Sequence, residues 1–267
     1  MSLQKNSVLE SPPPADMTVI LQVGDRPITS AEIIPLLARY QLLPQLLREV
    51  LLDQVTTPYT CTPEEVTQAC QHFYAQNQLT SEEAQQAWLS QRQLTPEEFK
   101  ARTERGLRIE KFKQATWGIK LESYFLQRKG QMDKVIYSLI RTQDVGIAQE
   151  LYFRIQEGEQ SFADLAREYS QGPESQTGGL IGPVELSVPH PQLARVLSMS
   201  QPGQLWPPTQ LGEWVVIVRL EKFMPAQLDE PMRQRLLNEL FNNWLQEQLH
   251  QINAVNNSGA VATSAAS

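Results

Sequence analysis

The sequence predicts an α+β protein, with a small sheet-containing domain set between a helical N-terminal region and one long C-terminal helix. Three observations predict it. Helix-start signals repeat between Thr29 and Thr95, β-like apolar runs stand at Val135–Ile140 and Trp214–Leu220, and a strongly amphipathic segment follows Asp229. The implied boundaries are a disordered lead over 1–17, a helical domain over 18–130 and the small domain over 131–224. A helix over 225–252 that packs on the N-terminal domain and a disordered tail over 253–267 complete the chain.

The lead carries Pro12, Pro13 and Pro14 and no apolar run. Val19 to Val23, followed by Gly24 and Asp25, reads as a short strand and turn. Thr29 with Glu32, Thr62 with Glu65, Thr80 with Glu83 and Thr95 with Glu98 then read as capping boxes. In each, the hydroxyl accepts from first-turn N–H groups and the Glu reaches back to the cap. Pro63 and Pro96 suit first helical positions, and Pro35 and Pro44 divide the first helical stretch. Thr95 opens a helix expected to run towards Arg128, with Phe99, Leu107, Phe112, Trp117, Leu121 and Phe125 as its buried stripe.

In the small domain the order is strand, helix, helix, short helix, strand. Ala148–Gln156 and a helix around Phe162–Tyr169 capped by Ser161 come first, then a Gly/Pro-rich loop, then an apolar helix around Leu193–Leu197. Asp229 caps the last helix, on which Met232, Leu236, Leu240 and Trp244 form a stripe too apolar to stand in water. The N-terminal helical block is its expected cover.

Composition removes several functions. At 267 residues the chain can hold one large domain or two small ones. A net charge of −7 with no basic stripe argues against nucleic acid as a partner. Ile33–Val55 is interrupted by Arg39, Arg48, Glu49 and Asp53 and cannot span a bilayer. Met1–Met17 lacks the apolar core of a secretory signal, so the reading is a cytoplasmic protein. Cys61 and Cys70, nine apart, fit neither a metal nor a redox spacing and read as structural or free thiols. No phosphate loop, metal motif or nucleophile elbow is present, so neither metal nor cofactor is expected.

One ordered set of landmarks carries more. Phe162, Ala166 and Ser170 mark a helix; Gly172–Pro173 and then Gly178, Gly179 and Gly182 mark turns; Pro202, Gly203 and Pro207 precede the closing strand. Gly178 and Gly179 allow positive φ where a helix hands over to a strand, and Pro202–Gly203 suits the centre of a type II turn. Over about 90 residues, with these landmarks in order, the chain resembles the parvulin family of peptidyl-prolyl isomerases (the PpiC, or rotamase, domain). The resemblance implies a small antiparallel sheet with surrounding helices. The wider layout is similar to bacterial foldases and SurA-type chaperones, whose flanking helices build a peptide-holding module and whose members are usually exported.

The resemblance also implies a site. The family's proline pocket is lined by a Leu, a Met and a Phe, and the matching positions are Ile181, Leu186 and His190. Its polar groups are a first-strand His, a Cys or Asp after the Tyr-Ser helix end and a last-strand His. Here those positions hold Ser138, Gly172 and Val215 or Val216, leaving Ser138 as the candidate catalytic side chain. Two functions follow. One is an isomerase acting on unfolded or proline-containing polypeptides; the other is a weak or inactive parvulin-like chaperone or adaptor, which could serve a protein-export system. A scaffold without peptide binding is a third.

Overall fold

The computed structural model describes residues 18–264, with side chains described to residue 252. The expected lead, 1–17, and the end of the expected tail therefore lie outside the described residues. Two compact units partition the chain: residues 1–116 with 238–267, and residues 117–237.

In the first unit a hairpin, β1 (Val19–Val23) and β2 (Arg26–Thr29), leads into α1 (Ser30–Arg39) and α2 (Leu43–Thr56). Pro35 lies inside α1, and Pro44 opens α2, so the two helices part at Tyr40–Leu42. Then come α3 (Pro63–Gln76), α4 (Glu82–Gln91) and α5 (Pro96–Trp117). Both bonds of the capping box form at Thr62 and Thr95: Glu65 and Glu98 each accept from the threonine N–H at 2.8 Å, while the hydroxyls accept from Glu65 N at 3.3 Å and Glu98 N at 3.1 Å. The Thr80 box does not form. Ser81 takes the cap instead, accepting from Ala84 N at 3.2 Å, because α4 starts one residue later than the Thr80 frame requires. Phe73, Tyr74, Trp88 and Phe99 cluster with ring centroids 5.0–6.1 Å apart around buried Cys70 and Leu89. Cys61 and Cys70 are free thiols.

The long helix expected from Thr95 is broken. After Trp117 a 3₁₀ turn, Gly118–Lys120, intervenes before α6 (Leu121–Met132). Gly118, poor in helix propensity, stands at the start of that turn. The C-terminal helix α10 (Glu230–Ser264) begins at Asp229, whose Oδ1 accepts from Met232 N at 3.0 Å. In the first unit its Phe241 and Trp244 meet Phe112 at 6.5 and 5.1 Å, and Lys113 Nζ donates to Asn238 Oδ1 at 2.8 Å.

The second unit is built on a four-stranded antiparallel sheet. Its strands are β3 (Lys134–Thr142), β4 (Leu180–Glu185), β5 (Leu205–Leu211) and β6 (Trp214–Met224), in spatial order β4-β3-β6-β5. The two strands expected from sequence occupy the centre. The two edge strands carry Pro183 and Pro207–Pro208, and the register shifts between Trp206 and Thr209. Proline is tolerated at an edge because its missing N–H faces away from the ladder, which is why these runs did not read as strands.

Strand alternation divides the core into two layers. On one face Val135, Tyr137 and Leu139 of β3 and Val216, Val218 and Leu220 of β6 pack with Leu193 and Leu197 of α9 (Pro191–Met199). On the other, Ile140 and Ile217 pack with Leu151 of α7 (Val145–Gln156) and Phe162, Leu165 and Ala166 of α8 (Phe162–Tyr169). Asp144 caps α7 and Ser161 caps α8. Gly179, at φ +84°, lets the turn before β4 close on the sheet: a Cβ there would stand 2.8 Å from the Leu139 carbonyl oxygen, which no side chain tolerates.

Candidate functional site

The α9 face of the sheet is incompletely covered and leaves a cavity of about 300 Å³. Tyr137, Leu139 and Arg141 reach it from β3, two residues apart and hence on one face. Val216 and Trp214 enter from β6, Leu211 from the end of β5, Ile181 from β4, and Pro189, His190 and Leu193 from the start of α9. A larger groove, about 500 Å³, lies between α7 and β5, and a cleft of about 390 Å³ beside Met132, Met224 and Arg235. Neither includes the glycine-turn residue Ile181 or the central positions 137 and 139.

Sequence-assigned residues fall in three places. Ile181 and His190 line the cavity. His190 also stands at the cap of α9, where its Nδ1 accepts from Gln192 N at 3.4 Å. Leu186, 5% exposed, lies in the core layer beneath and supports the wall rather than lining it. Ser138 does not line the cavity. It is 4% exposed, and its hydroxyl donates to Glu221 Oε1 at 2.6 Å, which also accepts from Arg219 Nε at 2.8 Å. Arg219 lies over the Phe162 ring of α8, so this network belongs to the opposite face. A strand reverses face with every residue, and Tyr137, not Ser138, is the β3 side chain aimed at the cavity at this level. In β6 the cavity takes Trp214 and Val216, whereas Val215 lines the groove against α7.

Several contributors were missed, among them Tyr137, Leu139, Arg141, Leu193 and Trp214. The signal was present, since 137, 139 and 141 share parity with the apolar layer.

The polar end of the cavity is a partly buried ion pair. Arg141 Nε donates to Glu174 Oε1 at 2.8 Å and Nη2 to Oε2 at 2.6 Å, in bidentate geometry. The Glu174 side chain is 2% exposed and that of Arg141 29%. Ser170 Oγ adds a bond to Glu174 Oε1 at 2.6 Å and itself accepts from the Arg141 backbone N–H at 3.1 Å. Burial pushes the Glu174 carboxyl up, but the hydrogen bonds from Arg141 and Ser170 together outweigh it and hold the group below the ordinary carboxylate range. Gly172 is required here for space: a Cβ would stand 2.3 Å from Glu174 Oε2 and 2.4 Å from Arg141 Nε. The Arg141 guanidinium also stands 6.0 Å from the Trp214 ring centroid. Burial pushes the Tyr137 phenol up, so it is neutral and a hydrogen-bond donor at physiological pH.

Residues 141–222 match the family model described as Rotamase, PPIC-type PPIASE domain. Chaperone SurA of Shewanella sp. (strain MR-7) is 35% identical over 104 residues, covering 35% of this chain and 24% of the relative. The match thus takes in about a quarter of that protein's length. Among solved structures, the peptidylprolyl isomerase PrsA from Bacillus cereus is 18% identical, covering 88% of this chain and 89% of that one, with a TM-score of 0.44. One of two SurA-like chaperones of Campylobacter jejuni, described as the virulence factor PEB4 and the periplasmic protein Cj1289, is 16% identical, covering 90% and 98%, with a TM-score of 0.36.

The cytoplasmic placement is corrected by these relatives. The 35%-identical match is to a SurA chaperone, a SurA-like protein among the structural neighbours is named as periplasmic, and the lack of an apolar run in residues 1–17 does not decide where a chain works. The ordered landmarks, the sheet order β4-β3-β6-β5 and the family match over 141–222 converge: the chain contains a PPIC-type peptidyl-prolyl isomerase, or rotamase, domain of the parvulin type.

Proposed function

We propose that this protein is a prolyl isomerase acting on unfolded or partly folded polypeptides, and that the cavity over Tyr137, Leu139 and Ile181 seats the proline ring. The observation that carries this reading is an apolar cavity of about 300 Å³ opening on the central strands of a rotamase-type domain.

The chemistry needs no covalent step. Rotation about an X–Pro bond is opposed by amide resonance, with a barrier of roughly 18–20 kcal/mol. Leu139, Ile181, Leu193 and Val216 provide an apolar seat that strips water from the ring and the adjoining amide. The planar amide is the more polar state, so desolvation favours the twisted one. Tyr137 supplies a neutral donor within the same wall. The aromatic-rich helical unit would add general affinity for extended chain, and delivery of clients to an export system is the finer form of the proposal.

A second reading, binding without catalysis, is favoured by one observation. Neither Ser138 nor Gly172 presents a polar side chain to the cavity, so the family's usual polar set is lacking. One experiment separates the two: catalysed isomerisation of a short Xaa-Pro peptide series, measured beside peptide affinity, for the wild type and Ile181→Asp. An isomerase accelerates exchange, and a carboxylate introduced at 181 lowers kcat/KM by about tenfold or more through the cost of a desolvated charge. Equal rates in both proteins would sink the isomerase reading, and binding without rate enhancement would establish the holding function.

A further inference from the structure

We propose that Arg141 and Glu174 set the charge selectivity of the cavity, so that the domain takes proline segments whose flanking residue is uncharged and rejects segments in which that residue is Glu or Lys. This rests on the reading that the cavity seats proline.

Arg141 is the cation on the cavity wall, and by itself it would recruit an acidic neighbour of the proline. Glu174 prevents that. Its two oxygens already occupy Nε and one N–H of Nη2, and the donors left on Nη1 and Nη2 would meet an incoming carboxylate with a like charge close behind them and the cation already neutralised. A ligand ammonium fares no better, because the guanidinium stands between it and a carboxylate that is 2% exposed. Either charge gives up its water at the cavity and gains only a pair whose charges already cancel, whereas an apolar side chain has no such hydration to lose.

The pair is a built feature of the fold. Ser170 braces the carboxylate at 2.6 Å, and the Glu174 carbonyl accepts from Gly179 N at 2.8 Å, which ties it to the glycine turn that presents Ile181. Gly172 leaves the space that both side chains occupy. Bulk salt screens such a partly buried pair poorly, so the selectivity persists at physiological ionic strength.

The test uses the full chain and two peptide series, Ala-Xaa-Pro-Phe and Ala-Ala-Pro-Xaa, with Xaa Leu, Glu or Lys. Affinity is followed by NMR titration, and cis–trans exchange in the same samples. In the wild type, Leu is preferred over both Glu and Lys by about tenfold in the series whose variable residue reaches Arg141. Glu174→Gln keeps the shape and leaves Arg141 uncompensated, so the Glu peptide gains about tenfold relative to Leu while the Lys peptide weakens. Arg141→Gln reverses the sign and favours Lys. Each variant is first checked for a cooperative thermal transition. If neither folds, the wild-type ratios alone decide.

Wild-type ratios within about twofold in both series, or a folded Glu174→Gln whose ratios are unchanged, overturn the proposal. Selective binding without accelerated exchange supports it while sinking the isomerase reading. Failure of the wild type to bind any of the peptides overturns both.

Discussion

The two faces of the same sheet have been finished differently. On the α7–α8 face, Ile140, Leu165 and Ile217 are fully buried, and the buried Ser138 is satisfied by Glu221. On the α9 face, apolar strand residues meet a single helix, and the space left over becomes a cavity with an ion pair at its end. The closed face holds the domain together; the open one is where a ligand can exchange for water. Stability and binding should therefore separate by residue parity along β3 and β6.

The largest effect should come from the closed face. Leu165→Ala removes a fully buried side chain and should cost about 2–5 kcal/mol of stability. Denaturant unfolding measures it, and kcat/KM per folded molecule should hold. If activity fell in proportion while stability stayed, the division between faces would be wrong. Ile181→Asp is the counterpart on the open face, with a large loss of activity and a small change in melting temperature, since Ile181 is only partly buried.

Acid should act through the ion pair. The folded-state pKa of Glu174 lies below its unfolded value near 4.5, so its contribution is complete above that value and is lost as pH falls through the folded pKa. As pH falls below about 4.5 the wild type should lose melting temperature more steeply than Glu174→Gln, which has no carboxylate to protonate. Parallel curves would mean that the pair contributes little to folding. The smallest effect belongs to Ser138→Ala, at about 1 kcal/mol for one lost hydrogen bond, with isomerisation unchanged. A loss of activity there would return Ser138 to the site and collapse the distinction between the faces.

Much of this protein can be read from local chemistry. The boxes at Thr62 and Thr95, the caps at Ser161 and Asp229 and the central strands β3 and β6 follow from groups within three or four residues of each other. The glycine turn at 178–179 and the Pro202–Gly203 turn follow from glycines that accept positive φ and a proline that fixes its own. Where two local signals competed, as at Thr80 and Ser81, the frame of the helix chose between them.

What sequence alone determined was which segments become helix or strand, and that the central third resembles a prolyl-isomerase domain. Only the tertiary structure decided which face of β3 looks into the cavity, because a shift of one residue exchanges Ser138 for Tyr137 and local pattern tolerates either match. The same holds for the edge strands, whose prolines read as loop until a neighbouring strand pairs with them. It holds most of all for Arg141 and Glu174, 33 residues apart: no local pattern brings them together, and their pairing depends on α8 and the glycine turn folding back onto the sheet.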